Sequence, residues 1–523
     1  MNTVSAEARP GTEAAEARRL MIDVALNHSG LVVGTVVAVA LVPFMIDRLG
    51  AERYGLWLAA IVLATTLRGM DFGLGSVIAR EVAAAEGVAA RAEVAPLVSA
   101  AGLALLGLAL ASALVMLALA ASAPSWLALP PGLGQQALPV FALVALASVA
   151  EQLVAFLTAI LTGLRRFGAL NLVAVALAVV RAAAIVVALL LGASLTSVAI
   201  AFAASSLAVA AATAWLVHAR AEGFLVPHLA SRAALAAHLP FGLAMFAGFL
   251  GATLVWQALP LMSVALLGTG ALVAVHLGQR IPLVLTSLQG RVSAVVFPAA
   301  SGEPAAGDGT GARTALVTGT RLVLHLTIPA TVVGLVGTEQ ILLAWLGSAD
   351  PTVAAVFRLT LLAVLADACG AVAATVLWAR GAARPVLAAT LAAAAIMVTG
   401  CAGLLPVYGA SAGALLLALV HVGGSPWFWT QACRALGLRP FDGMRRAVGG
   451  LIVPTLACAL VTGGALLAPW TEGLLRLATA AALGPAAYLA VLLWRGATDE
   501  ERALARSLSD ALSRALGFAR DAR

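Results

Sequence analysis

The sequence predicts an all-α polytopic membrane protein with about fourteen transmembrane helices, and three observations support this fold class. Hydrophobic residues make up 62% of the chain and charged residues 11%, with a mean hydropathy of +1.03, whereas a soluble domain carries about 25% charged residues. The apolar runs are each about 20–27 residues long, enough to cross about 30 Å of hydrocarbon as a helix. The arginines lie mainly between these runs.

The apolar runs define the individual spans. In chain order the predicted spans are 23–46, 55–79, 94–120, 137–163, 168–192, 195–218, 238–266, 269–298, 314–337, 352–379, 384–407, 410–433, 446–469 and 472–494. The connections are short, so none of them holds a catalytic domain. The N-terminal segment, 1–22, has no pattern of a removable signal peptide and is expected to be cytoplasmic. The C-terminal tail, 495–523, carries leucines at four-residue spacing, which predicts an amphipathic helix on the cytoplasmic membrane face.

The distribution of arginine predicts the orientation. Loops that carry Arg165 and Arg166, or Arg384, alternate with loops such as 121–136 and 406–410 that carry none. By the positive-inside rule, the arginine-bearing loops and both termini face the cytoplasm. The net charge of +7 does not indicate nucleic-acid binding, because the arginines are not clustered on a soluble module.

A weak internal repeat divides the chain into halves. A Leu-Gly pair ending at Gly50 follows the first span, and a second ending at Gly268 follows the seventh. The next span carries a central arginine in both copies, Arg68 and Arg280. Six spans separate the copies, so the halves have the same orientation and are related by an axis along the membrane normal.

Ionisable residues inside the spans indicate a binding site, because each costs about 2.5–3.5 kcal/mol at mid-bilayer on insertion scales unless it has a partner, water or a ligand. Arginines outnumber acids among them, which favours an anionic ligand. The candidate ligand-binding residues are Arg68, Arg181, His276, Arg280, Arg291 and Arg321. The candidate carriers of a coupling H+ or Na+ are Asp71, Glu151 and Asp367.

The pattern leaves two arrangements of these charges open. On a helical wheel, His276, Arg280, Ser287 and Arg291 lie within an arc of about 60° and form a polar stripe that should face a cavity or a partner helix, with Pro282 as a point of bending. Alternatively, the arginines serve structural ion pairs. These pairs are Arg68 with Asp71, Arg181 with Glu151, and Arg358 with Asp367.

The sequence contains no pattern that predicts an enzyme. No nucleophile–base pair, cofactor motif or metal-ligand spacing is recognisable, and the four cysteines are interpreted as small apolar residues within spans. The chain has no lysine and therefore no P-loop, so an ATP-driven pump is excluded. An ion gradient or consumption of the product is expected to supply the energy.

Two segments resemble a known family. Leu49 to Val82 reads LGAERYGLWLAAIVLATTLRGMDFGLGSVIAREV, and the eighth span reads QRIPLVLTSLQGRVSAVVFPAAS. They resemble the polysaccharide-transporter family, the O-antigen and exopolysaccharide flippases of the multidrug/oligosaccharidyl-lipid/polysaccharide (MOP) superfamily. The sequence motifs that carry the resemblance are confined to these two segments. The number of spans, the short loops and the internal repeat extend the resemblance to the whole chain.

This resemblance implies two six-helix lobes around a central cationic cavity, with two additional C-terminal helices. The corresponding ranges are 23–218 for the N-lobe, 219–237 for a cytoplasmic linker, 238–433 for the C-lobe and 446–494 for the added helices. It implies alternating access in a bacterial cytoplasmic membrane, where an undecaprenyl-pyrophosphate-linked oligosaccharide passes from the cytoplasmic to the outer leaflet during surface polysaccharide biosynthesis. A polysaccharide polymerase is an implied partner.

The resemblance also implies site residues. Arg68 and Arg280 match arginines of the second and eighth helices in the related lipid II flippases, and they are expected to hold the pyrophosphate jointly. Those flippases also carry arginines in their first helix, where this chain has only Asn27 and His28. The alternatives are an ion-coupled multidrug exporter, a lipid II flippase of the same superfamily, and a membrane scaffold without transport.

Overall fold

A computed structural model describes most of the 523 residues. The described residues are 33–69, 73–85, 87–127, 129, 132–192, 194–220, 224, 231–301, 310–468, 473–498 and 501–502. Within these ranges the regular structure is helical and contains no strand. A helix satisfies its own backbone hydrogen bonds, which is the requirement that the hydrocarbon interior imposes on an isolated segment. The predicted segment 1–22 lies outside the described residues, as do 221–223 and 225–230 of the linker and most of the tail 495–523.

The helices follow one another with short connections. They are 33–49 (α1), Ala51–Arg68 (α2), Leu74–Ala84 (α3), Gly87–Ala121 (α4), Ala123–Trp126 (α5), Gly134–Gly163 (α6), Phe167–Leu190 (α7), Leu195–Arg220 (α8), Arg232–Leu267 (α9), Thr269–Arg280 (α10), Val284–Ser301 (α11), Thr310–Val336 (α12), Thr338–Leu346 (α13), Pro351–Ala379 (α14), Ala383–Ala435 (α15), Pro440–Val448 (α16), Ile452–Leu467 (α17) and Gly473–Val491 (α18). A π-helical turn, Leu492–Gly496, extends α18.

The helices confirm the predicted all-α membrane fold. Among the described residues, 9 helices are long and apolar enough to cross a membrane, or up to 11 spans if each of two bent pairs counts as one. Those pairs are α10 with α11, bent by 49°, and α16 with α17, bent by 41°. Gly409, with φ 72°, divides α15 into two helices where the sequence predicts two spans. Each of the fourteen predicted spans thus overlaps a helix, a half of α15 or a consecutive pair of helices.

The second predicted span is not the continuous helix expected over 55–79. It consists of α2 and α3, and α2 ends at Arg68. Glycines flank the break: Gly69 follows α2, and Gly73 precedes α3 with φ 66°, a left-handed conformation that suits a residue without Cβ.

The eighth predicted span is also broken. Pro282 lies in the turn between α10 and α11, where it supplies no backbone N–H and disfavours a continuous helix. The bend expected at this proline is confirmed. The predicted polar stripe is divided by this bend of 49°, because His276 and Arg280 belong to α10 and Arg291 belongs to α11. That the stripe faces a cavity stays a prediction.

The internal repeat has a counterpart in backbone conformation. Gly50 and Gly268 both adopt positive φ, 78° and 89°, directly before α2 and α10. Each of these two helices then ends at its arginine, Arg68 in one copy and Arg280 in the other. Cations are favoured at a helix C-terminus, where unpaired carbonyls and the helix dipole concentrate negative potential.

The chain forms two compact units. The first, the N-terminal unit, comprises Met1–Val273 with Leu405–Val407, and the second, the C-terminal unit, comprises Ala274–Leu404 with Tyr408–Arg523. In the N-terminal unit, α3, α4, α6 and α8 share an apolar core that includes Ile78, Leu157 and Val217. In the C-terminal unit, α12, α14 and α18 share another, which includes Leu316, Val372 and Tyr488. The predicted lobe boundaries at 218 and 238 stay a prediction.

Candidate anion-binding site

A buried charge cluster lies in the N-terminal unit between α2, α6 and α7. The carboxylate of Glu151 forms ion pairs with Arg68 from the end of α2 and with Arg181 from α7. The Glu151 side chain is 8% exposed, whereas the side chains of Arg68 and Arg181 are 31% and 23% exposed. The predicted pair of Arg181 with Glu151 is confirmed. Arg68 shares Glu151 with Arg181. The predicted pair of Arg68 with Asp71 stays a prediction, because Asp71 lies outside the described residues.

Polar and aromatic neighbours fix one of the two arginines. Arg181 donates to the hydroxyl of Ser206 at 3.1 Å, and that hydroxyl lies 3.3 Å from a Glu151 oxygen. The Arg181 guanidinium also lies 4.3 Å from the ring centroid of Phe202, a cation–π distance. Trp57 packs edge-on against the same ring at 5.1 Å. Arg181 is therefore held by several contacts on one face of the cluster.

Arg68 lies at the junction between this cluster and a larger space. One cavity of about 80 Å³ is lined by Arg68, Glu151 and Arg181. A second cavity, of about 480 Å³, is lined by Arg68 and by the glycines around the α2–α3 break. The cavity of about 480 Å³ is called the Arg68 cavity below. A ligand in the Arg68 cavity would meet the guanidinium of Arg68 directly.

The charges of the cluster favour an anion. Among the described residues that form it, two arginines share one carboxylate, so the cluster carries one excess positive charge. In a site of low dielectric constant such an excess charge attracts an anion more strongly than it would in water. Arginine suits phosphate because its planar guanidinium donates two parallel hydrogen bonds.

The other predicted ligand-binding residues belong to the C-terminal unit. Arg280 ends α10, His276 lies one turn earlier, and Arg291 lies on α11; all three are half-buried. The close approach of Gly278 to Val356 packs α10 against α14, since a Cβ on that glycine would lie 2.7 Å from Val356. The binding roles of these residues stay predictions.

Arg321, also predicted to bind the ligand, has intramolecular partners for its whole guanidinium. Its Nε lies 2.5 Å from Oε1 of Glu501, and its Nη atoms donate to the carbonyls of Gly449 at 2.7 Å and Gly496 at 2.6 Å. The Arg321 side chain is 6% exposed. This geometry favours a structural role, in which Arg321 ties α12 to the ends of α16 and α18.

Glu501 completes this structural network. His325 lies one turn after Arg321 and contacts Glu501 through Nε2 at 2.8 Å and the Tyr488 hydroxyl through Nδ1 at 3.0 Å. Burial alone would raise the pKa of Glu501. Hydrogen bonds from Arg321, His325 and the Thr498 backbone nevertheless lower that pKa from 4.5 to about 2. Glu501 is thus ionised in the folded protein at neutral pH.

The remaining predicted coupling acid, Asp367 on α14, lies beside a histidine. Oδ1 of Asp367 is 3.9 Å from Nε2 of His421 on α15, whose Nδ1 lies 2.9 Å from the Leu417 carbonyl. The predicted pair of Asp367 with Arg358 is wrong. Arg358 binds Glu339 at 3.1 Å, because both lie near the ends of their helices on an exposed surface.

The fold is similar to that of known transporters, although no protein-family model and no curated protein sequence matches the chain. It is similar to the lipid II flippase MurJ in an inward closed conformation, with TM-score 0.66, 13% identity, and coverage of 90% of this chain and 98% of MurJ. It is also similar to an inward-facing multidrug resistance MATE family transporter of the MOP superfamily, with TM-score 0.60, 15% identity, and coverage of 76% and 98%. The chain has the fold of MOP-superfamily transporters.

A third similar structure shows that this fold accommodates pockets of different polarity. It is a MOP-superfamily transporter from Pyrococcus furiosus, described as having a binding pocket of reverse polarity, with TM-score 0.55, 15% identity, and coverage of 79% of this chain and 94% of that one. At such low identity these similarities establish the fold alone. Substrate class has to be argued from the side chains of this chain.

Proposed function

We propose that the protein is a flippase for an undecaprenyl-pyrophosphate-linked oligosaccharide. It moves this lipid from the cytoplasmic to the outer leaflet of a bacterial cytoplasmic membrane during surface polysaccharide biosynthesis, by alternating access. Both termini are cytoplasmic in this proposal, and a polymerase on the outer side consumes the product. The observation that carries the proposal is the position of Arg68, between the Arg68 cavity and a cluster in which two of the described arginines share one carboxylate.

The shared carboxylate makes Arg68 available to a ligand. When a phosphate binds the guanidinium of Arg68, Glu151 keeps its ion pair with Arg181. The ligand therefore leaves no buried carboxylate without a partner, a situation that is strongly destabilising. Arg68 can thus exchange between Glu151 and a pyrophosphate. A second contribution to pyrophosphate binding by Arg280 stays a prediction from the sequence.

Coupling to an ion gradient is part of the proposal. Three acids are predicted to carry the coupling ion: Glu151 and Asp367, which the structure describes, and Asp71, which lies outside the described residues. A proton on Glu151 would weaken its hold on Arg68 and favour transfer of that arginine to the substrate. Transport by a variant with Gln or Asn at all three positions, with unchanged pH and sodium dependence, would exclude this coupling.

The two other transporter classes differ from this proposal in the ligand. A cationic drug would be repelled by the excess positive charge beside the Arg68 cavity. A lipid II flippase shares the anionic pyrophosphate, and the similarity to MurJ supports it as the second candidate. Proteoliposomes separate the classes when they contain an oligosaccharide-linked polyprenyl pyrophosphate, lipid II or a cationic dye. The proposal predicts translocation of the first lipid; translocation of the dye alone would exclude it.

A further inference from the structure

Gln152, the residue after Glu151 on α6, is a buried polar side chain in the wall of the Arg68 cavity. It is 6% exposed, and it lines both this cavity and a smaller apolar space of about 20 Å³ between α4 and α6. A glutamine amide offers two donors and one acceptor.

Gln152 brings an uncharged polar side chain to the wall that also holds Arg68. Its amide can donate hydrogen bonds to a ligand in the cavity and accept them from it. The amide therefore suits a ligand that carries both hydrogen-bond acceptors and donors.

Aromatic side chains also line the cavity. Phe156, Phe246 and Phe249 all line the Arg68 cavity. Phe156 lies against α4 because residue 102 is glycine: a Cβ there would be 2.6 Å from the ring. Phe249 similarly lies over Gly69, where a Cβ would be 3.1 Å from the ring. Two glycines thus allow aromatic rings to lie at the cavity.

A sugar ring fits this combination. Its faces carry C–H groups that pack on aromatic rings, and its edge carries hydroxyl or acetamido groups that both donate and accept hydrogen bonds. The cavity volume of about 480 Å³ lies within the range of about 300–1,000 Å³ that is typical of small-ligand sites. Arg68, in the same wall, is placed to bind a phosphate attached to that sugar.

We propose that Gln152 and the three phenylalanines form a saccharide subsite for the sugar attached directly to the pyrophosphate. This inference rests on the proposed function, because it takes the phosphate at Arg68 as given. It adds that the protein recognises the first sugar of its substrate. Gln152 forms hydrogen bonds with the polar edge of that sugar, and the phenylalanine rings pack on the face of the sugar.

The test compares sugar-bearing and sugar-free lipids on the purified full-length protein. The probes are polyprenyl pyrophosphates that carry one hexose, one N-acetylhexosamine or one deoxyhexose, and the same lipid without sugar. The variants are Gln152→Leu, Phe249→Leu, and Gln135→Leu as a matched control on an exposed position of the same helix. Thermal unfolding of each variant shows whether it is folded.

The inference predicts that Gln152→Leu binds the best sugar-bearing probe roughly tenfold more weakly and binds the sugar-free lipid as the wild type does. Phe249→Leu, at a largely exposed ring, should show a smaller loss of the same kind, roughly threefold. If Gln152→Leu does not fold, Phe249→Leu decides alone. Equal affinity of wild type and variants for every sugar-bearing probe would overturn the subsite and leave the proposed function intact. Equal weakening of both lipid types would also overturn it. Wild-type protein that binds neither type of lipid would refute the proposed function, and the subsite with it.

Discussion

The guanidinium of Arg68 and the carboxylate of Glu151 form an ion pair that joins the last residue of α2 to the middle of α6. Arg181 binds the same carboxylate, so two arginines share one acid among the residues of this site that the structure describes. The sequence leaves open whether these arginines form structural ion pairs or face a cavity, and the arrangement shows both. Arg181 is in a structural pair, and Arg68 is both paired and placed in the wall of a cavity.

Glu151→Gln should destabilise the protein strongly. The substitution leaves two arginines close together without their shared counter-charge, and removal of one partner from a buried ion pair costs about 3–5 kcal/mol. Thermal unfolding of the purified protein measures the effect. The control is Glu339→Gln, whose side chain is 62% exposed and paired with Arg358, so that its effect should be small. Equal unfolding temperatures for the two variants would contradict the structural importance of the cluster.

Stability should depend on pH through Glu501. Its pKa is lowered from 4.5 to about 2 on folding, so its ion pair stabilises the folded state fully above about pH 4.5. That contribution should be lost progressively as the pH falls from about 4.5 towards 2. Unfolding temperatures of wild type and Glu501→Gln, measured from pH 7 down to pH 3, should converge over the acidic part of this range.

Other carboxylates also titrate over the same range. The informative quantity is therefore the difference between wild type and Glu501→Gln at each pH. Glu339→Gln provides the baseline for an exposed acid. A constant difference between wild type and Glu501→Gln from pH 7 to pH 3 would show that the ion pair of Glu501 with Arg321 does not form as described.

The predicted orientation is tested by single cysteines in a variant that lacks the four native ones. Cysteines near Gly132 and Ser194 should react with an impermeant reagent on intact cells. Cysteines near Arg166 and Arg384 should react only after permeabilisation, because the arginine-bearing loops are expected in the cytoplasm. Labelling in the reverse pattern would refute the assigned direction of transport.

Deletion of the gene should distinguish the transporter classes in the cell. A flippase for lipid-linked oligosaccharide predicts loss of a surface polymer and accumulation of undecaprenyl-linked intermediates on the cytoplasmic side. A drug exporter predicts unchanged surface sugar and greater sensitivity to cationic dyes. A scaffold predicts that single substitutions of the intramembrane charges at Arg68, Arg280 and Asp367 leave the phenotype unchanged.

Hydrophobic run length was sufficient to predict the all-α membrane fold class, whereas the orientation predicted from arginine placement stays a prediction. Run length does not detect a break inside a span, and the end of α2 at Arg68 was therefore missed. The signal for that break was present in the glycines at 69 and 73, which weaken a helix. The partner of Arg358 was missed for another reason. Sequence distance does not show that α13 returns Glu339 to the start of α14.

The candidate site was predicted in part. Arg68, Arg181 and Glu151 were recognised because charge inside an apolar span needs a partner or a ligand. Their common meeting point depends on the packing of α2, α6 and α7, which one sequence does not specify. Gln152 was not recognised, since an uncharged amide disturbs a hydropathy pattern much less than a charge does. Its adjacency to Glu151 in an otherwise apolar helix was the available signal.

The binding affinity of the Arg68→Gln variant for a sugar-bearing polyprenyl pyrophosphate tests the central claim most directly. Arg53→Gln is the matched control, because Arg53 lies on the same helix and is exposed. The account predicts that Arg68→Gln weakens binding roughly tenfold to hundredfold, the contribution of charge-assisted hydrogen bonds, and that Arg68→Lys restores only part of it. Wild-type affinity of a folded Arg68→Gln variant would contradict the account.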